Sequence, residues 1–211
     1  MSRVLVLFAH PAFDKSRVHR RLVERVRELA GVTFHDLYEA YPDFDVDVKR
    51  EQALLLAHDA VVLQHPLYWY STPALVKQWE DLVLEHGWAY GTGGTALRGK
   101  RFVSAITAGG GETAYREDGH NRFTVRQLLA PMEQTARLCG MDYLPPFVVY
   151  GTHRLDPEGV ARAAEEYGRF VAALGDDRVD FEAARAQPRI NVDLDRVLRK
   201  EPVAGGGSDA R

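Results

Sequence analysis

Val4-Leu5-Val6-Leu7-Phe8-Ala9, running directly into His10-Pro11-Ala12-Phe13-Asp14-Lys15-Ser16, is the stretch from which the architecture follows. Six apolar residues with no polar alternation read as a strand buried on both faces, as in a parallel sheet covered by helices. Pro11 breaks the run, and Ser16 is a residue type that accepts backbone N–H bonds at helix starts. Two further runs repeat the form. Residues 60–64 lead into His65-Pro66-Leu67-Tyr68-Trp69-Tyr70, and residues 101–106 lead into Thr107-Ala108-Gly109-Gly110-Gly111. In an open α/β sheet ligands sit outside the carboxyl ends of the parallel strands, so three such loops converge on one crevice.

Helical patterns separate the runs, which is the βαβ alternation of a sheet with helices on both faces. A first helix is expected over residues 16–30, with Val18, Leu22, Val26 and Leu29 inward and Gly31 as its stop, then a short strand over 32–37. Further helices are expected over 45–57, from Thr72-Pro73 to Gly87, over 124–139, and from Asp156-Pro157 to about 174, with a fifth strand at 147–150. The glycine-rich stretch 88–100 reads as a loop. Residues 1–175 therefore form the expected domain. Beyond it, Phe181, Ile190, Val192, Leu194 and Val197 look too sparse for another core layer, and Gly205-Gly206-Gly207-Ser208 is flexible in composition. Residues 176–211 are expected to be an extended tail that wraps the body or a partner subunit.

The 211 residues can bury a substantial core without disulfides or a structural metal. A formal charge of -3 and the lack of a long basic run argue against nucleic acid as a partner. The chain enters a strand within three residues, and no apolar stretch approaches the ~20 residues that span a bilayer, so a cytoplasmic protein is expected. The single cysteine, Cys139, excludes an internal disulfide and a cysteine metal cluster; it reads as a small buried thiol at a helix end.

Several familiar chemistries fail on context. Residues 94–101 approach a phosphate loop, but Arg101 stands where a magnesium-binding Ser or Thr is needed, and the segment precedes a strand when it should follow one. No Gly-x-Gly-x-x-Gly follows the first strand, which disfavours a dinucleotide Rossmann site. No His-Glu-x-x-His, paired cysteines or nucleophile elbow occurs, so no metal site is expected, and His35, His58 and His153 read as surface or capping residues. His65 and His86 read as structural groups near the crevice.

The three loops speak for a flat, phosphorylated ligand. Ser16 stands at a helix N-terminus, where free N–H groups and the dipole favour a phosphate; His10, Lys15 and Arg17 add donors, and His19 lies one turn inward. A strand-ending solvated imidazole and a plain N-cap are the alternative readings of His10 and Ser16. Tyr68, Trp69 and Tyr70 cannot all turn into the same core, so at least one meets a ligand or a subunit. Gly109 and Gly110 permit close approach of backbone N–H groups to a planar ring, with an ordinary tight turn as the alternative.

Taken together with Tyr41-Pro42-Asp43-Phe44, Gln64-His65-Pro66 and His86-Gly87-Trp88-Ala89-Tyr90-Gly91, these loops give a chain that resembles the flavodoxin-like NAD(P)H:quinone oxidoreductases over residues 3–174. Within them it is similar to the small bacterial branch that includes the ancillary subunit of glutathione-regulated potassium efflux systems. The resemblance implies a five-stranded parallel sheet of order 2-1-3-4-5 with helices on both faces. It implies FMN, with FAD as the alternative, its phosphate on His10 and the Ser16, Arg17, Val18, His19 turn. The flavin ring would lie between Pro66, Leu67, Tyr68, Trp69, Tyr70 and Thr107, Ala108, Gly109, Gly110. Tyr115 and His120 match the pair that supports charge on the reduced flavin, His120 with a small shift in register. Ala108 departs from the family, which commonly has a second threonine there, and His19 stands where relatives often carry asparagine.

The implied activity is two-electron transfer from NAD(P)H through the flavin to a quinone, in two half-reactions at one site. The implied assembly is a homodimer with Trp88, Tyr90, Tyr41 and Phe44 as interface candidates, a core role being equally open for Trp88. The rival reading is a regulatory subunit docked on a membrane potassium antiporter and thus peripheral at the inner face of the membrane. A one-electron carrier is disfavoured because the first loop lacks a Thr- and Gly-rich phosphate turn and the chain is not strongly acidic.

Overall fold

A computed structural model describes residues 1–199. At its centre are β1 (Val4–Phe8), β2 (Val32–Asp36), β3 (Ala60–Pro66), β4 (Arg101–Thr107), β5 (Asp142–Tyr143) and β6 (Phe147–Val149). They form one parallel sheet of order β2-β1-β3-β4-β5, with β6 also paired to β4. The expected order is met, but the fifth position is split. Pro145 and Pro146 have no N–H to give to the ladder, so pairing with β4 stops after Tyr143 and resumes at Phe147.

Side-chain alternation assigns the two faces. Leu5, Leu7, Val61, Leu63 and Ile106 pack against α3 (Val48–Ala57), α4 (Ala74–Val83) and α6 (Ala130–Leu138), while Val4, Val6, Val62, Val103 and Ala105 face α1 (Arg17–Val26) and α7 (Pro157–Gly175). All five residues of β1 are buried, which is why that strand shows no alternation in sequence. Short helices α2 (Leu37–Ala40) and α5 (Val125–Leu128) complete the order up to α7.

Helix starts follow side-chain caps. Ser16 Oγ accepts the N–H of His19, Asp47 accepts that of Arg50 and Asp156 that of Gly159, so α3 begins at Val48, three residues later than expected. Pro73 precedes α4 instead of opening it, and α4 ends at Val83; Gly87, at φ +81°, serves the turn that follows. The helix expected over 124–139 is two helices. Pro131 offers no N–H to the carbonyl of Gln127, and the chain leaves helical geometry at Leu129.

Residues 176–198 are not extended. They form α8 (Phe181–Arg185), a 3₁₀ turn at Ile190–Val192 and α9 (Leu194–Val197), and Val179, Ala184, Ile190, Leu194 and Val197 are buried in the core that α7 shares. Each short helix contributes only one or two core residues, which is why the spacing looked sparse. Asn191 covers the open edge of β6: Val148 donates its N–H to Asn191 Oδ1 and accepts from Asn191 Nδ2, both at 3.0 Å. The glycine stretch 205–208 lies outside the described residues.

Two histidines and a tyrosine read as surface groups are internal. His58 is buried, with Nε2 2.7 Å from Thr33 Oγ1 and Nδ1 2.7 Å from the Leu54 carbonyl. His35 is buried against Glu51, whose carboxylate is wholly inside and also accepts from Tyr41 Oη (2.6 Å) and Trp79 Nε1 (2.9 Å). Tyr41 is therefore not available to a subunit interface. Trp88 and Tyr90 are half-buried against the same core, and Phe44 remains exposed.

Candidate functional site

The carboxyl ends of β1, β3, β4 and β6 open on one cleft of about 990 Å³. Its first wall is the β1 to α1 connection. Ala12 donates its N–H to His10 Nδ1 (3.1 Å), so a neutral ring carries its proton on Nε2; burial lowers the His10 pKa, partly offset by its own backbone and by Asp14. Ser16, Arg17 and Val18 line the cleft at the start of α1, where the amides of Arg17 and Val18 have no acceptor inside the helix. Arg17 donates to the carbonyls of Thr152 and Leu155, which fixes its guanidinium beside the cleft. Lys15 also lines it and has no ion-pair partner among the described residues.

The second wall is a tight turn that follows β3. Tyr68 and Ser71 exchange both backbone hydrogen bonds (3.0 and 3.1 Å), with Trp69 at φ 49° and Tyr70 at φ 64° between them. Two successive left-handed residues suit Asn-Gly; here two aromatic residues hold the conformation, at a cost of ~1–3 kcal/mol each. The two strained rings face outward, Trp69 94% and Tyr70 49% exposed, and Tyr68 lies edge-on to His10 at 5.8 Å. Pro66 and Leu67 form the floor, anchored by the Leu67 N–H to the Thr107 carbonyl at 2.8 Å.

The third wall follows β4. Thr107, Gly109 and Gly110 line the cleft, whereas Ala108 is turned into the core. A Cβ on Gly109 would lie 2.7 Å from His153 Nε2 and would displace that exposed ring, and one on Gly110 would lie 3.1 Å from the Tyr115 ring and crowd it, so the two glycines leave open backbone beside the cleft. Tyr115 lines the cleft, and burial, with Tyr70 adding to it, raises its pKa, keeping the phenol protonated and able to donate. His120 is not brought to the cleft: it is exposed in the turn where Gly119 bonds Arg116 and Asn121 bonds Ala114. His19 lies beneath the surface, with Nε2 3.0 Å from Thr107 Oγ1. His65 is buried, with Nδ1 2.9 Å from the Pro66 carbonyl, and burial pushes its pKa down to about 4.

A fourth loop was missed. Thr152, His153 and Leu155, after β6, complete the rim. The rule that identified the other three loops, position after a parallel strand, applies to this one too, but it lacks a glycine run or aromatic cluster to draw notice.

The donor set grades from one end to the other. Helix amides, Ser16, His10, Lys15 and Arg17 suit an anion, while the aromatic turn and the glycine amides suit a flat polar ring. Among the described residues no three His, Cys, Asp or Glu side chains are placed to hold a metal ion.

Residues 2–171 match the Flavodoxin_2 family, a flavodoxin-like fold. The protein named uncharacterized NAD(P)H oxidoreductase YrkL, from Bacillus subtilis (strain 168), is 46% identical over 81% of this chain and 98% of its own. The glutathione-regulated potassium-efflux system ancillary protein KefG of Enterobacter sp. (strain 638) is 46% identical over 82% of this chain and 94% of its own. Among solved structures, general stress protein 14 of Treponema denticola in complex with FMN superposes with a TM-score of 0.78 at 40% identity, over 82% of this chain and 99% of that one. An NADPH-quinone reductase from P. pentosaceus superposes with a TM-score of 0.73 at 33% identity, over 80% and 96%.

Proposed function

This chain belongs to the flavodoxin-like fold family, and from that premise we propose that it is an NAD(P)H:quinone oxidoreductase with FMN as its cofactor. When bound, the flavin supplies the redox chemistry, taking an electron pair from NAD(P)H in one half-reaction and giving it to a quinone in the next. The FMN-bound relative favours FMN over FAD.

The observation that carries this reading is the graded cleft. The amides of Arg17 and Val18, the Ser16 hydroxyl and His10 Nε2 form a cradle for a phosphate, with Lys15 and Arg17 balancing its charge. At the other end the bare backbones of Gly109 and Gly110 admit a ring edge, and the Tyr115 hydroxyl, kept protonated, donates where negative charge develops. Tyr68 and Trp69 border the open side, giving a flat substrate an aromatic wall.

The visible spectrum of the purified protein tests the reading. Oxidised flavin bands that bleach on anaerobic NADPH and return on adding a quinone are expected. A colourless protein that also fails to bind added FMN would overturn the assignment.

The KefG relatives favour a second role for the same domain, as a peripheral subunit on the inner face of the membrane bound to a potassium antiporter. Among the described residues no helix is long and apolar enough to cross a membrane, so the protein would reach that surface through its partner. Recovery with membranes only when the antiporter is co-expressed is the expected result. The proposed assembly is a homodimer, with Phe44 and, in place of the buried Tyr41, Trp69 as its exposed interface aromatics; light scattering at micromolar concentration should give twice the chain mass.

A further inference from the structure

A chain of buried hydrogen bonds runs from α7 along one face of the sheet to the cleft. Tyr167 Oη is 2.9 Å from Gln64 Oε1, Gln64 Nε2 is 3.1 Å from His19 Nδ1, and His19 Nε2 is 3.0 Å from Thr107 Oγ1. Tyr167, Gln64 and His19 are almost wholly inside, and Thr107 alone reaches the cleft. The side chains of the first three make no other hydrogen bond among the described residues.

Such a chain can be polarised in two directions. In one, the tyrosine hydroxyl donates to the amide oxygen, the amide N–H donates to His19 Nδ1, and His19 carries its proton on Nε2 and donates to Thr107. The Thr107 hydroxyl proton is then left over at the cleft surface. In the other, the amide is reversed, His19 carries its proton on Nδ1, and Thr107 donates inward, leaving only lone pairs to the cleft.

Burial decides between them. With the amide reversed, the Tyr167 hydroxyl becomes an acceptor and its proton has nowhere to go, in addition to the one amide N–H that lacks a partner in either direction. The first direction strands one fewer buried donor, and each stranded donor costs ~1–3 kcal/mol. The ring itself is neutral, because burial, with His10 and His65 adding to it, holds the His19 pKa well below 6.5.

We infer that Tyr167, Gln64 and His19 are positioning residues that set the Thr107 hydroxyl as a hydrogen-bond donor into the cleft, so the site is specified for a ligand with an acceptor atom at Thr107. A carbonyl oxygen or unprotonated ring nitrogen fits, and a ring N–H does not. That this acceptor belongs to a flavin rests on the function proposed above; the direction of the chain does not.

The test starts from ligand-free protein labelled with ¹⁵N at histidine. Two-bond couplings identify each ring nitrogen, since Nε2 couples to both ring C–H protons and Nδ1 strongly to only one, and the ¹⁵N chemical shifts then show which of the two carries the proton. A His19 proton on Nε2 is expected, and one on Nδ1 overturns the inference whether or not any flavin binds. The paired variant Gln64→Leu with Tyr167→Phe removes two chain members together and leaves no orphaned donor between them. It should erase the single-tautomer signature of His19 and weaken FMN binding by about three- to tenfold, the loss of one oriented hydrogen bond. An unchanged His19 spectrum in that variant would overturn the inference. If native His19 shows the expected tautomer and FMN still fails to bind, the directed hydroxyl stands and the cofactor assignment falls.

Discussion

The two faces of the sheet each bury a polar network, and the networks end differently. On the α3 and α4 face, Glu51 takes hydrogen bonds from His35, Tyr41 and Trp79, and every member is spent on another. On the α1 and α7 face, the chain from Tyr167 ends at Thr107 with a proton left over beside the cleft. A closed network locks β2, α2, α3 and α4 together and has nothing to offer a ligand. An open one makes buried structure act at a distance, by fixing which way a surface hydroxyl points.

The largest effect should come from breaking the closed network. Glu51→Ala leaves three buried donors without an acceptor and is expected to cost about 3–5 kcal/mol in denaturant unfolding, while the FMN affinity of the folded protein stays within twofold of native, roughly the spread for distant sites. If FMN affinity falls in proportion to stability, the two networks are not separate.

The same network sets an acid limit. Burial alone would raise the Glu51 pKa, but hydrogen bonds from His35, Tyr41 and Trp79 bring it below the ordinary value of 4.5. A carboxyl with a depressed folded value contributes stability that is present above 4.5 and lost as pH falls through the folded value. Stability against pH should therefore drop on the acid side of 4.5 in the native protein, and less steeply in Glu51→Gln.

Glu80 sharpens the contrast, because on the same face it lies against Leu55, Leu63, Leu84 and Leu97 without a donor to its carboxylate among the described residues. Burial pushes its pKa up to about 7, with Lys77 partly opposing. Here the sign reverses: the folded state holds the proton more tightly, so stability is lost as pH rises from 4.5 to about 7. Glu80→Gln should raise stability at pH 8 by ~1–3 kcal/mol and leave it nearly unchanged at pH 4.

The backbone strain at Trp69 and Tyr70 sits in the wall of the cleft. The variant Trp69→Asn with Tyr70→Gly should gain about 1–2 kcal/mol of stability from a relaxed turn while quinone turnover falls. Equal or lower stability would show that the rings contribute more to the fold than their exposure indicates. The smallest expected change is at the end of the open chain: Thr107→Val should weaken FMN binding about tenfold and Thr107→Ser less than twofold, since only the hydroxyl matters.

Legibility in sequence follows the range of the interaction. The runs at β1, β3 and β4 were readable because a strand buried on both faces has no polar residue to disguise it, and the loops after them were readable because Pro, Gly and aromatic clusters are local signals. The C-terminal segment misled because its short helices acquire their core contacts only by folding back on α7. His35 and Tyr41, both partners of Glu51, misled for a related reason. A polar residue reads as exposed until its partners, 10, 16 and 28 positions away along the chain, are brought to it.

The sequence by itself determined the parallel sheet, its covering helices and three of the four loops at its carboxyl edge, since these follow from hydrophobic pattern and local backbone preference. Only the tertiary structure decided that His120 stays outside the cleft, that Thr152, His153 and Leu155 enter it, and that residues 64, 19, 107 and 167 form one hydrogen-bonded line. A hydrogen bond is satisfied by distance in space, and residues 103 positions apart share one here because the sheet order places β3 beneath α7.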